Sequence, residues 1–283
     1  MTLPRIDAHQ HFWQPARGDY DWMPRDVPEL NRAYAPDDLA PALAAHQIGG
    51  TVLVQAAATV HETEYMLGLA DASPMIRGVV GWIDFEDPAH LSHLERFARH
   101  PKFLGVRPMI QDISDDNWML REDVQWAYGA LTDLDLTFDA LGFPQHIPNF
   151  RRLISKWPDL RVVFDHCLKP QISEAQQGRN SFSDWAEGIT ALAQETGGYC
   201  KLSGLVTEAS EDVSIEDLRP FARHVLDSFG PGRVMWGSDW PVCRLRCEYG
   251  DWLDMARELT AHLPAGEQAQ IFGGTAARFY RLG

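Results

Sequence analysis

Apolar runs of strand length recur along the chain, with helix-like spacers between them. The runs cover residues 4–12, 50–57, 76–84, 103–111, 135–143, 160–167, 199–205 and 233–241. Several are continuously apolar, as in Val79-Val80-Gly81-Trp82-Ile83 and Val162-Val163-Phe164. Parallel strands buried on both faces have that pattern. The spacers carry helix signals. Thr59-Val60-His61-Glu62 has capping-box spacing ahead of Tyr65, Met66 and Leu69. Asp87-Pro88 places an N-cap and a first-turn proline before Leu91, Leu94 and Phe97. Ser183 or Asp184 is expected to cap a helix carrying Trp185, Ile189 and Leu192 and ended by Gly197. Asp217 is expected to cap another, running through Phe221, Val225 and Phe229 to Gly230. This alternation implies a parallel sheet. Eight runs match the strand number of a TIM barrel, so the expectation is one α/β domain spanning residues 1–283.

One stretch breaks the rhythm. Residues 13–36 are irregular and rich in Pro, Asp, Arg, Tyr and Trp. A loop this long usually carries function or covers a site. Its attachment to the first strand predicts an active-site lid, with Trp13, Tyr20 and Trp22 as its substrate contacts.

Composition narrows the function classes. Hydrophobic residues are 45% and charged residues 23%, as in ordinary globular proteins. Lys and Arg number 25 against 40 Asp and Glu, a formal charge of −15. That balance argues against nucleic acid or an anionic membrane as partner, and leaves a small molecule. No apolar run approaches the roughly 18 residues of a membrane span, and no signal peptide is evident. Cys167, Cys200, Cys243 and Cys247 lack paired spacing and read as reduced thiols of a cytoplasmic protein.

The candidate chemistry sits where apolar runs end, which in a TIM barrel is the active-site face. His9 and His11 are two apart, so on a strand both rings point to one side, a geometry suited to a metal ion. Gln55, Asp84, Arg107, Gln111, Asp139, His166 with Lys169, Lys201 and Asp239 close the other runs. Structural roles compete with functional ones. Asp84 could serve a turn, Gln55 could be a satisfied core amide, and Arg107 could pair with Asp139. Lys201 interrupts an apolar run, where a buried ammonium is costly, and so favours function. Trp13, Trp22 and Trp240 offer flat faces for a sugar ring, whereas Trp82 reads as core.

Four motifs occur in order: Asp7-Ala8-His9-Gln10-His11-Phe12-Trp13, Asp165-His166 with Lys169-Pro170, Cys200-Lys201-Leu202-Ser203-Gly204, and Gly237-Ser238-Asp239-Trp240-Pro241-Val242. Together they resemble the amidohydrolase superfamily, and most of all its sugar-lactonase branch, which includes L-fuconolactonase. The resemblance runs on to Gly273-Gly274-Thr275-Ala276-Ala277-Arg278. It implies a distorted (β/α)8 barrel that hydrolyses a lactone C–O bond, with Asp239 as general base. It also implies one divalent metal, zinc foremost, on His9, His11, His166 and Asp239, although in this branch the metal can be dispensable. One departure stands out. L-fuconolactonases tend to carry Arg-His-Gln after the fourth strand, and this chain has Arg107-Pro108-Met109.

Lactone hydrolysis needs a base for water, a positive group for the oxyanion and an acid for the leaving alkoxide. Asp239 is the candidate base, and His166, Lys201 or a metal would polarise the carbonyl. Arg107, Gln55, Asp84, Asp139 and Lys169 are candidate polar contacts to a lactone or sugar acid, and Trp13, Tyr20, Trp22 and Trp240 the aromatic ones. No G-x-S-x-G motif occurs, so no acyl-enzyme is expected. Two readings compete: a zinc-dependent decarboxylase of an aromatic or unsaturated acid, and a non-catalytic barrel that binds a sugar acid or metal.

Overall fold

The computed structural model describes residues 5–179 and 181–283. Eight strands form one sheet: β1 Ile6–Gln10, β2 Gly50–Val54, β3 Ile76–Gly81, β4 Phe103–Val106, β5 Thr137–Ala140, β6 Arg161–Phe164, β7 Tyr199–Leu202 and β8 Val234–Trp236. Each pairs in parallel with the next in sequence. First and last strands meet through a single bridge, Gln10 to Trp240. His11 N donates to Trp240 O (2.7 Å) and Asp239 N to His9 O (2.8 Å) across that seam. With helices between successive strands, this is the expected (β/α)8 barrel, nearly closed. No described helix is long and apolar enough to cross a membrane.

All eight predicted runs contain a strand, but the ladders stop early. Residue 4 of the first run lies outside the described residues. The run 160–167 is strand only to Phe164, and 233–241 only to Trp236. Beyond the ladders the backbone turns sharply while staying buried. His166, Cys167, Leu168 and Lys169 all have positive φ, from 49° to 56°, and Asp239 has φ 56°. Four consecutive non-glycine residues in the left-handed region are costly. The surrounding packing pins them, and that turn places His166. Gly204 (φ 68°) has no such cost, and a Cβ there would lie 2.7 Å from the His166 ring.

The opposite end of the barrel is sealed by the chain's last helix, Thr275–Phe279. Ala276, Phe279 and Tyr280 pack among the interior residues Ile6, Ala8, Val52, Val80, Val163 and Met235.

Helix starts differ in detail from expectation. Thr59 caps Val60–Ala72 by accepting from Glu62 N, but Glu62 does not return the bond. Its Oε2 instead accepts from Ala56 N (3.0 Å) and Ala57 N (2.5 Å), fixing the loop after β2. Ser214, not Asp217, caps Ile215–Phe229, and Asp217 closes that capping box three residues on. The helix Phe182–Glu195 starts after Ser181, ahead of the predicted Ser183 or Asp184.

Burial pushes the Glu62 pKa up to about 8, although the two backbone donors oppose the shift. The folded state then holds a proton that the unfolded chain has lost, so Glu62 lowers stability as pH rises from about 4.5 to 8. Glu62→Gln keeps an acceptor for the two amides without this charge. It is expected to leave the melting temperature unchanged near pH 4 and to raise it by several degrees at pH 9. Equal shifts at both pH values would refute this account.

Candidate active site

A cavity of about 390 Å³ opens at the C-terminal ends of the strands. Its polar lining includes His11, Arg107, His166, Lys169 and Asp239, and its apolar lining includes Trp13, Trp22, Met109 and Leu141. From the segment 13–36, Trp13, Trp22, Pro24 and Leu30 reach the cavity. Trp13 is buried, with its Nε1 donating to Leu30 O and Arg32 O. Trp22 is 40% exposed, donates to Ala56 O and meets Trp13 in a T-shaped ring contact. Tyr20 and Trp240 do not line the cavity. Tyr20 is buried near Glu62, and Trp240 packs on Phe12 and Tyr34.

The ionisable centre gathers residues from the two ends of the chain. Asp239 Oδ1 lies 3.3 Å from His11 Nε2, 3.7 Å from His9 Nε2 and 3.8 Å from His166 Nε2. The two N-terminal rings approach at 3.2 Å, Nε2 to Nε2. Burial works to raise the Asp239 pKa. The charge of His166, the hydrogen bond and charge of His11, and Lys169 outweigh it, so the carboxyl stays below its usual range. Burial lowers the His9 and His166 pKa values well below the usual imidazole value. Lys201 adds to this at His9, whereas Asp239 opposes it at His166.

These residues fit a divalent cation. His11 Nδ1 lies 2.7 Å from Val54 O, which can only accept, so the neutral ring carries its proton there. With Nε2 unprotonated, its lone pair faces Asp239 Oδ1, two acceptors that a cation between them would satisfy; a proton on Nε2 gives instead the hydrogen bond that lowers the Asp239 pKa. His9, His166 and Asp239 each offer a ligand atom, all within 4.8 Å of one another. Zinc ligands held at ~2.0–2.1 Å in a tetrahedron stand roughly 3.3 Å apart, close to several separations seen here.

Several predicted contacts lie behind the cavity wall. Lys201 is fully buried, with its Nζ 2.6 Å from Asp139 Oδ2, 2.9 Å from Asp165 Oδ1 and 3.0 Å from His9 Nδ1. Asp139 is thus committed to Lys201 and to the Tyr280 hydroxyl at 2.6 Å. Arg107 pairs with Asp165 (3.5 Å), not with Asp139 as anticipated. Gln55 is core: its amide donates to Arg107 O at 2.5 Å, and Arg107 donates back to Gln55 O. Asp84 serves the turn before Pro88, accepting from Glu86 N. Lys169 faces the cavity and lies 3.6 Å from Glu208. Asp165, Ser203, Glu208 and Tyr280 were missed as site residues. Ser203 Oγ stands 2.9 Å from His166 Nδ1. Asp165 had a signal, a charge inside an apolar run like that of Lys201, but Tyr280 had none.

The sequence pattern of the amidohydrolase family matches residues 6–282. The L-fucono-1,5-lactonase of Burkholderia ambifaria is 40% identical, and that of Burkholderia multivorans 36%, over 100% of this chain and 97% of each relative. A crystal structure of an amidohydrolase from Burkholderia multivorans with bound zinc superposes with a TM-score of 0.92 at 35% identity, covering 99% of this chain and all of that one. A second crystal form, with bound HEPES, gives 0.93 at 34% identity over the same shares. Full-length agreement in sequence and in fold makes this chain a member of the amidohydrolase family.

Proposed function

We infer that this protein hydrolyses a sugar lactone to the corresponding sugar acid. The observation that carries the reading is the ionised, buried Asp239 among His9, His11 and His166, facing a cavity that also holds Arg107 and Lys169. The full-length similarity to two L-fucono-1,5-lactonases supports it. Decarboxylases among the solved structures are 14–16% identical and share the fold alone.

All three histidine contacts of Asp239 go to Oδ1, which leaves Oδ2 to accept a proton from water. The same carboxyl then returns the proton to the leaving alkoxide. His166, steadied by Ser203, stands beside the reacting carbonyl as a polarising group. Arg107 and Lys169 supply positive charge for ring hydroxyls and for the carboxylate that forms. The indoles of Trp22 and Trp13, both lining the cavity, suit the apolar face of a sugar ring. The segment 13–36 acts as the lid of this single domain, keeping bulk water from the reacting carbonyl. A divalent ion, zinc by its donor set, would be held by His9, His11, His166 and Asp239 and would supply Lewis-acid polarisation. Lys201 contributes from behind these groups, without touching substrate.

A panel of 1,4- and 1,5-sugar lactones, followed by acid release before and after chelation, tests the reading. The expected result is turnover well above the uncatalysed rate on at least one deoxy or parent sugar lactone. Background rates on every lactone, with carbon dioxide released from an aromatic acid, would replace the reading with the decarboxylase.

A further inference from the structure

His9 is fully buried, and its ring is offered two incompatible sets of partners. In the first, Lys201 Nζ stands 3.0 Å from Nδ1 and His11 Nε2 stands 3.2 Å from Nε2. Lys201 can only donate, so Nδ1 accepts and Nε2 carries the proton. The set closes on itself, because His11 donates from Nδ1 to Val54 O and keeps its Nε2 lone pair for His9. In the second set, Asp165 Oδ1 lies 3.5 Å from Nδ1 and Arg107 Nη1 lies 3.4 Å from Nε2. A carboxylate accepts and a guanidinium donates, so this set puts the proton on Nδ1.

A neutral ring satisfies one set at a time. The first is shorter at both nitrogens and falls inside the roughly 2.7–3.2 Å range of ordinary hydrogen bonds. The second is kept open by Asp165. Its Oδ1 is buried and lies 2.9 Å from Lys201 Nζ as an ion pair, yet receives no aligned hydrogen bond. A buried carboxylate oxygen with no aligned hydrogen bond of its own, beside a ring nitrogen, is an acceptor in reserve.

We propose that His9 is a two-position tautomer element: Lys201 holds its proton on Nε2, and a divalent cation taking the Nε2 lone pair shifts the ring to the Nδ1 tautomer with Asp165 as acceptor. In that exchange one proton leaves Nε2 for solvent and one arrives at Nδ1, so the ring stays neutral. Lys201 is then a positioning residue, itself braced by Asp139, which Tyr280 braces in turn. Metal-bound histidines ordinarily donate their other N–H to an acceptor. Lys201 therefore opposes cation binding and Asp165 favours it. The second half of this inference rests on the metal-site reading above, and the first half does not.

The test is nitrogen NMR on the full chain labelled at histidine, stripped of metal by chelation. His9 signals are assigned by their loss in His9→Gln. The metal-free wild type is expected to show the Nε2–H pattern and to change to Nδ1–H on zinc addition. An Nδ1–H pattern without metal overturns the proposal, and so does an unchanged pattern with millimolar zinc. Chelator competition supplies a second readout. Asp165→Asn is expected to weaken zinc binding by about 10–100-fold, and Lys201→Met to tighten it at least tenfold. Shifts in the same direction overturn the opposed roles. The wild-type spectra decide the matter even if neither variant folds. A protein that hydrolyses no lactone would sink the functional reading and leave these spectra standing.

Discussion

Asp239→Asn is expected to fold normally and to lose lactone hydrolysis by on the order of 10²–10⁴ in kcat. Amide and carboxylate share a shape, so the turn after β8 and its packing survive. The amide cannot accept the proton of water, and the histidines around it lose the charge that faces them. A loss beyond that range would mean that Asp239 also held an ion. Retention of more than roughly a tenth of the wild-type rate would remove Asp239 as base. His166 would then be the leading candidate, since burial keeps its ring neutral and able to accept a proton.

The second large effect is on stability. Lys201→Met strands two fully buried carboxylates, Asp139 and Asp165, without their shared ammonium. Burial would raise the Asp165 pKa, but Lys201, His9 and Arg107 hold it well below the usual range. Breaking a buried ion pair from one side costs about 3–5 kcal/mol. For a chain of this size that corresponds to a fall of roughly 5–8 °C in melting temperature. Calorimetry at pH 7 measures it, and a change below 2 °C would mean that the network contributes little. Tyr280→Phe removes only the hydroxyl that donates to Asp139 and is expected to cost much less.

The barrel was legible because buried parallel strands impose continuous apolar runs, and eight such runs were present. Their lengths were not, because burial continues past the hydrogen-bonded ladder. Residues 166–168 are as buried as β6 itself but follow a left-handed path. Among the proposed site residues, those with charge inside an apolar run were easiest to find. His9, His166, Lys201 and Asp239 all sit that way. Which of them faces the cavity was not readable, since strand alternation ends where the ladder ends. Lys201 and Asp139 point behind the wall, and Lys169, a few residues past a similar run, points into it. Tyr280 directly follows the last helix, whose docking inside the barrel no local pattern announces.

The seam between β1 and β8 ties activity to completion of folding. His11 and Asp239 meet from positions 228 apart in the sequence, and a single bridge, Gln10 to Trp240, joins the ends of the two runs. Closing a loop of that length is among the slowest contacts a chain can make. Helices and neighbouring strand pairs can therefore form while the catalytic set is still apart. During refolding, recovery of turnover should trail recovery of helical circular dichroism, and no fragment ending before residue 239 can be partly active. For this barrel an activity assay counts only molecules whose two chain ends have found each other.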